Sequence, residues 1–205
     1  MIASLKGISA ALWRTRLPIL WMGLAYLAGT LTGAIAVHAH NNFALDYRDR
    51  LVGRAYKSDP AATLFLRGRW VRAAGADFAG NLLAGAVPST IMGLSVALPF
   101  PFAVYRGWVG GIVSVDGQHA SRLARPHECA YYLGVLILQL IPYTLAGAAG
   151  VRLGLAFLLP RGRWGYPSQQ RWLGLPAEGI HDVLRIYLLV VPMFLIASVV
   201  EFAPR

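Results

Sequence analysis

The chain has 205 residues, of which 57% are hydrophobic and 14% are charged, and its mean hydropathy is +0.53. This composition is too apolar for a soluble domain of this size and is typical of a protein with several membrane-crossing helices. The formal net charge of +10 comes largely from arginines beside apolar segments, so it indicates contact with anionic lipids rather than with nucleic acid. The single cysteine, Cys129, excludes an intrachain disulfide and a cysteine-based metal cluster within one chain.

The first predicted membrane span covers residues 16–37 and follows Lys6 and Arg14. It has about the twenty residues that cross a bilayer, whereas the apolar core of a signal peptide has about 7–15, so we predict a retained anchor. The basic residues before the span favour a cytoplasmic amino terminus.

Residues 38–77 are the most polar part of the chain and predict a segment at the membrane interface. Within them, Asp59 and Pro60 indicate a helix start, with the aspartate as the N-cap and the proline at the first helical position. Apolar residues then recur at helical spacing from Ala62 to Ala73, which predicts one helix there.

Residues 78–116 are apolar but are interrupted by Asn81, by several glycines and by Pro99 and Pro101. Two straight spans and a turn do not fit into this length, so we predict a pair of short, tilted or re-entrant helices. Because each proline removes a backbone donor, the break between the two helices is expected at Pro99–Pro101.

Residues 129–160 form the next predicted span, which is too long for one simple crossing and contains Pro142. Either a long helix kinks at Pro142 or two half-helices meet there, and we favour the broken element. A lone arginine at mid-bilayer costs about 2.5–3.5 kcal/mol, so Arg106 and Arg152 are expected to be paired or to reach headgroup level.

The last predicted span covers residues 183–203 and ends near Glu201, an acid inside an otherwise apolar run. Ala197 and Ser198 lie four and three residues earlier, so they share a helix face with the acid and let another helix approach closely. We predict that Glu201 faces protein and contributes to assembly.

Two alternatives for Glu201 stay open. It marks the membrane boundary and meets water, or it forms a cation or proton site, which requires a second polar group such as Gln139 or Asn81. A glutamine substitution separates these roles, because it keeps the size and the hydrogen bonding but removes the charge.

No catalytic pattern is evident in the sequence. It contains no nucleotide-binding glycine motif, so any ATPase is a separate subunit. The hydroxyls in the apolar segments lack a histidine deep in a span to act as their base, and they are expected to bond to helix carbonyls. We predict no enzyme activity and no catalytic residues.

No metal and no cofactor is predicted. His38 and His40 follow the first span, but no nearby acid or cysteine completes a tetrahedral ligand set. His119, His127 and His181 lie near span ends, where solvent contact is expected, and Glu128 could form a polar pair with His127; these are the other candidate ligands for a metal or a tetrapyrrole.

The carboxy-terminal residues carry a resemblance to a known family. Residues 190–204 are an apolar run that ends in Ile196-Ala197, a glutamate and a proline. This run resembles the closing signature of the stage II sporulation protein M family. The small-residue segment 145–154, followed by Pro160, resembles the preceding helix of that family.

The middle of the chain resembles the family more loosely, from Asn81 through Gly107 to Gly110. Arg106 precedes Gly107 where the family has an asparagine, and Gln139 stands where it has a glutamate. The resemblance implies an integral membrane component of an envelope-remodelling complex that works with separate peptidoglycan-acting partners.

The sequence therefore predicts an all-α, polytopic integral membrane protein with five or six membrane helices, some short, broken or re-entrant, in one membrane domain. We expect a non-enzymatic subunit of a cell-envelope complex in the bacterial cytoplasmic (inner) membrane, in contact with other membrane subunits, a second copy or anionic lipids. The alternatives are a permease-like subunit for a small solute, lipid or peptide with a separate ATPase, and an accessory packing subunit of a redox or photosynthetic assembly. The candidate partner-contact residues are Glu201, Ser198, Ala197, Gln139, Arg152, Arg106 and Asn81.

Overall fold

The computed structural model describes residues 2–160, 162–168 and 170–204, and this part of the chain is mostly α-helical. Its α-helices are α1 (Ile2–His38), α2 (Asn42–Ser58), α3 (Pro60–Leu66), α4 (Trp70–Ala79), α5 (Val87–Gly93), α6 (Pro99–Ile112), α7 (Pro126–Leu158) and α8 (Ala177–Phe202). A π-helical segment, Gly80–Ala86, joins α4 to α5, and short 3₁₀ turns cover Arg122–Ala124 and Gly162–Trp164. The strands described are a two-residue antiparallel pair, β1 (Arg171–Trp172) and β2 (Leu175–Pro176).

The all-α prediction is confirmed, and within the described residues three helices are long and apolar enough to cross a membrane. They are Lys6–His38, Pro126–Leu158 and Ala177–Phe202. Three is fewer than the five or six predicted. The difference arises because α6 has only 14 residues and because the π-helical segment divides the helical run from α4 to α5.

Helices α1 and α6 pack against each other through two matching pairs of glycines, four residues apart in each helix. A Cβ on Gly33 would lie 2.3 Å from the backbone oxygen of Trp108, and a Cβ on Gly107 would lie 2.2 Å from that of Tyr26. No larger side chain fits at either position, so the backbones touch directly, as in small-residue membrane interfaces. Since contacts advance in the same direction along both helices, α1 and α6 are parallel.

The α4–α5 segment, 24 residues including its π-helical part, runs parallel to α7. Here too glycines bring the backbones together, because a Cβ on Gly150 would lie 2.1 Å from the backbone oxygen of Thr90. Further along, Gly93 meets Gly150 and Gly154 approaches Leu94. These contacts confirm that the glycines of this region serve close helix packing.

The predicted break near Pro99 is present, although it lies a few residues earlier than expected. α5 ends at Gly93, residues 94–98 form a turn with Val96 at a φ of 66°, and Pro99 is the first residue of α6. Proline is well suited to the first helical position, where its missing N–H has no intrahelical partner. Pro101 therefore lies in the first turn of a helix and not in the break.

The prediction of a broken element at Pro142 was wrong, because α7 is one continuous helix from Pro126 to Leu158. Pro142 is buried, and the small residues after it pack against α1, α5 and α8. This packing holds the helix together across the proline, as neighbouring helices do in membrane proteins.

The helix bundle has two ends, and the contacts of α8 show which helix termini lie at each. Arg14 of α1 contacts Asp182 of α8, whereas Glu201 of α8 contacts Gln139 of α7. Thus α1, α6 and α8 run one way, and α4–α5 and α7 run the other way. The start of α1, the end of α7 and the β1–β2 pair lie at one end, the amino-terminal end, and α2, α3 and the end of α8 lie at the opposite end.

The polar segment after α1 folds into α2 and α3 at that opposite end. The predicted helix start is confirmed, since the Asp59 side chain accepts hydrogen bonds from the backbone N–H groups of Ala61 and Ala62. The helix ends at Leu66 instead of continuing to Ala73, because Gly68 adopts a φ of 72° that ends the helix.

Candidate functional site

A chain of hydrogen bonds links α4, the π-helical segment, α7 and α8. Asp77 accepts hydrogen bonds from the Ser198 hydroxyl at 2.7 Å and from the Asn81 amide at 2.9 Å. The Asn81 carbonyl oxygen then accepts one from the Tyr143 hydroxyl at 2.5 Å. We call Asp77, Asn81, Tyr143 and Ser198 the interhelical network. It uses a π-helical segment, a feature that is frequent at functional sites.

Glu201 lies one helical turn beyond Ser198 on α8 and faces protein, as predicted. Its carboxylate accepts a hydrogen bond of 2.5 Å from the Gln139 amide, and its backbone oxygen accepts one from the Tyr131 hydroxyl. Ala197 and Ser198 are fully buried, and α4 of the same chain covers the small-residue face beside the acid. Gln139 and Ser198 were predicted to contact a partner, but their side chains form hydrogen bonds within this chain.

Arg106 packs on the same region from α6. Its guanidinium lies 4.0 Å from the ring centre of Tyr143 and 4.9 Å from that of Phe102. The contact is a cation–π interaction, which suits an arginine held among aromatic rings. Arg106 is therefore engaged with protein, as the sequence predicts.

Arg152 is also engaged with protein and is only 2% exposed. One of its terminal nitrogens donates to the backbone oxygen of Trp164 at 2.7 Å, and the guanidinium lies 4.4 Å from the ring centre of Tyr166. Burial raises the pKa of the Tyr166 phenol above its ordinary range, so this hydroxyl is neutral and can donate a hydrogen bond.

Asp182 lies beside Arg152 and is a buried acid that was not predicted from the sequence. It is 2% exposed and accepts two hydrogen bonds from Arg14, at 2.6 and 2.7 Å. Tyr166 donates to it at 3.0 Å and Arg185 at 3.2 Å. The sequence contains one signal for this pair: an acid, Asp182, lies near the start of one apolar span, and an arginine, Arg14, lies near the start of another.

Two cavities adjoin the Gln139–Glu201 contact. The larger has a volume of about 810 Å³ and lies among α2, α3, α6, α7 and the end of α8. The smaller, of about 350 Å³, extends towards Arg106 and Tyr143. Both share a wall that includes Gly110, Leu136 and Gln139.

Two of the histidines contact other polar groups of the chain. His38 contacts the backbone oxygen of Ala34 and the Ser121 hydroxyl, both at 2.8 Å, and His119 contacts Asp49 at 2.9 Å. In the described residues, no group of three or more histidine, cysteine or acidic side chains is arranged to hold a metal ion. Glu128 pairs with Arg125 at 2.6 Å.

The hydroxyls of the apolar segments behave partly as expected. Thr90 donates back to Ala86 and also contacts Ala146 and Tyr187 on neighbouring helices, and Ser95 donates to Met92. The buried hydroxyls of Ser89 and Ser114 have no hydrogen-bond partner among the described residues, so they differ from the prediction.

The chain was compared with protein-family models, with curated proteins and with solved structures. None of these comparisons found a match.

Proposed function

We propose that this chain is a non-enzymatic integral membrane subunit of a larger cell-envelope complex, similar in role to members of the stage II sporulation protein M family. The observation that carries the proposal is the interhelical network, in which hydrogen bonds join Asp77, Asn81, Tyr143 and Ser198 across α4, the π-helical segment, α7 and α8. Polar groups that are used in this way fix the positions of helices and stabilise a rigid scaffold.

The surface of α1 supports a role among other membrane components. Trp13, Trp21 and Ile35 are 67%, 58% and 65% exposed. Large apolar side chains in this position contact lipid or another membrane helix, because exposing them to water is unfavourable. The proposed partners are other membrane subunits or a second copy of the chain, in the bacterial cytoplasmic (inner) membrane.

A permease-like subunit is the second candidate, and the cavities favour it. The 810 and 350 Å³ cavities share a wall, and Glu201 and Gln139 line the larger one while Arg106 lines the smaller. Such a polar-lined path could hold a small solute, lipid or peptide, with energy supplied by a separate ATPase.

Substitution of Glu201 distinguishes these two functions. Glu201→Gln keeps an acceptor for the Gln139 amide, whereas Glu201→Ala removes it. For a scaffold, the tagged protein purified from its native membrane should retain its partner subunits with Glu201→Gln and lose them with Glu201→Ala. Glu128→Ala, which alters an exposed ion pair, is the matched control and should retain the partners.

Two results would contradict the scaffold. Wild-type protein that purifies without any stoichiometric partner removes the basis for a complex. An intact complex in which Glu201→Gln and Glu201→Ala both abolish solute flux into proteoliposomes identifies a transport site that needs the charge.

A further inference from the structure

The larger cavity contains a buried arginine whose charge is only partly compensated. Arg48 of α2 lines this cavity and is 5% exposed. One terminal nitrogen donates to the Asp49 carboxylate at 2.7 Å, but its Nε is buried without a hydrogen-bond partner among the described residues. An arginine remains charged in proteins, so its unpaired donor cannot be neutralised by losing a proton.

A second arginine that lines the same cavity also has an unpaired donor. Arg122, in the turn before α7, also lines it, and its Nε is likewise buried without a partner in the described part of the chain. An unmade hydrogen bond from a charged group carries a substantial desolvation cost. Two arginines that line one cavity call for a ligand with anionic oxygen atoms, which form the strongest complement to guanidinium groups.

The rest of the cavity is mostly apolar. Its walls include Val52, Phe65, Val135, Leu136 and Phe202. These side chains suit a hydrocarbon chain and not a fully hydrophilic ion. The volume of about 810 Å³ lies within the range of roughly 300–1,000 Å³ that is usual for small-ligand pockets.

The charges fix the orientation of such a ligand. Glu201 also lines the cavity, and Gln139, its partner, lies thirteen residues into α7, roughly 20 Å along the helix from Pro126. An anionic headgroup is attracted by Arg48 and Arg122, which both line this cavity. The hydrocarbon chain therefore extends along α7 towards Leu136.

We propose that this cavity is a binding site for an anionic lipid, with its phosphate or other anionic headgroup against Arg48 and Arg122 and its acyl chain along the α7 wall. The cavity lies where α2 and α3 cover the end of the long apolar helices, so a lipid from the surrounding bilayer can supply both parts of the ligand.

Native mass spectrometry of the purified full chain tests the site. Phosphatidylglycerol should bind and phosphatidylcholine, which carries no net charge, should bind at least about tenfold more weakly. Arg48→Gln and Arg122→Gln should each weaken phosphatidylglycerol binding by a similar factor. The matched control is Arg50→Gln on the exposed face of α2, which should bind like wild type.

A separate variant tests the acyl-chain part of the site. Val135→Trp fills the cavity without changing its charge, so it should abolish phosphatidylglycerol binding even if Arg48→Gln fails to fold. Equal binding of the two lipids, or equal effects of Arg48→Gln and Arg50→Gln, would overturn the proposal. Inorganic phosphate that displaces the lipid, combined with unchanged binding by Val135→Trp, would show a free-anion site and also overturn it.

Discussion

Asp182 shows how a buried acid is accommodated at the end of the molecule that contains the amino terminus. A carboxylate without partners would be costly to bury, but Arg14, Arg185 and Tyr166 supply four hydrogen bonds to its two oxygens. Arg14 and Asp182 are 168 positions apart, so only the packing of α1 against α8 brings them together. The sequence shows the charges but not their pairing.

Replacing Asp182 with asparagine should destabilise the bundle. Removing one partner of a buried ion pair costs about 3–5 kcal/mol, and because the Arg14 side chain is 36% exposed we expect about 3 kcal/mol. The free energy of unfolding in mixed detergent–dodecyl sulfate micelles measures this change. Asp46→Asn on the exposed face of α2 is the control and should cost less than about 0.5 kcal/mol; equal effects would show that the ion-pair cluster does not stabilise the fold.

Asp116 gives a pH dependence in the loop between α6 and α7. Arg125 and the backbone N–H groups of Gln118 and Ala120 lower the pKa of its carboxyl group to about 2. A lowered pKa stabilises the folded loop above the unfolded value of about 4, and this stabilisation is lost as the pH falls towards about 2. The ionised form therefore contributes to the stability of the folded loop at neutral pH.

Pepsin cleavage in this loop should accelerate between pH 4 and pH 2 in the wild type. Asp116→Asn lacks the ionised carboxylate, so it should already be cleaved rapidly at pH 4. A wild-type cleavage rate that follows only the intrinsic pH profile of pepsin on an unfolded peptide would contradict this role of Asp116.

The sequence correctly predicted the effect of Pro99 on its helix but not that of Pro142. The break before Pro99 was predictable because a proline begins a helix more readily than it continues one. Continuity through Pro142 was not, because it depends on α1, α5 and α8 packing around the small residues that follow. The helix after Asp59 begins where the sequence predicts because the Asp59 side chain caps it, and its end is set by the positive φ of Gly68.

The glycine contacts between α1 and α6 give a direct test at this scale. Gly107→Ala places a methyl group 2.2 Å from the backbone oxygen of Tyr26, so we expect a loss of about 1–3 kcal/mol in the free energy of unfolding. Gly134→Ala in α7 meets nothing within 4 Å and should be neutral or stabilising by up to about 1 kcal/mol. Two variants of equal stability would mean that α1 and α6 are not in backbone contact.

For the whole molecule, composition predicted a membrane protein better than it predicted the number of crossings. Three helices meet the length and hydropathy of a span, while α6 is short and the α4–α5 segment carries Asp77 and a π-helical distortion. The sequence suggested Gln139 as a polar partner that an ion site at Glu201 would require, and the structure brings the two side chains into contact. Asp77 was missed because nothing in the sequence indicates that it meets Ser198, 121 positions away.

Cysteine labelling tests most directly whether the two ends of the bundle lie on opposite sides of a membrane. In a Cys129→Ser background, Ser58→Cys marks the end with α2 and α3, and Ser168→Cys marks the end with the amino terminus; both serines are exposed. With a cytoplasmic amino terminus, a membrane-impermeant maleimide should label position 58 in intact spheroplasts and position 168 only after permeabilisation. Labelling of both positions in intact spheroplasts would place the two ends on one side and contradict a membrane-spanning bundle.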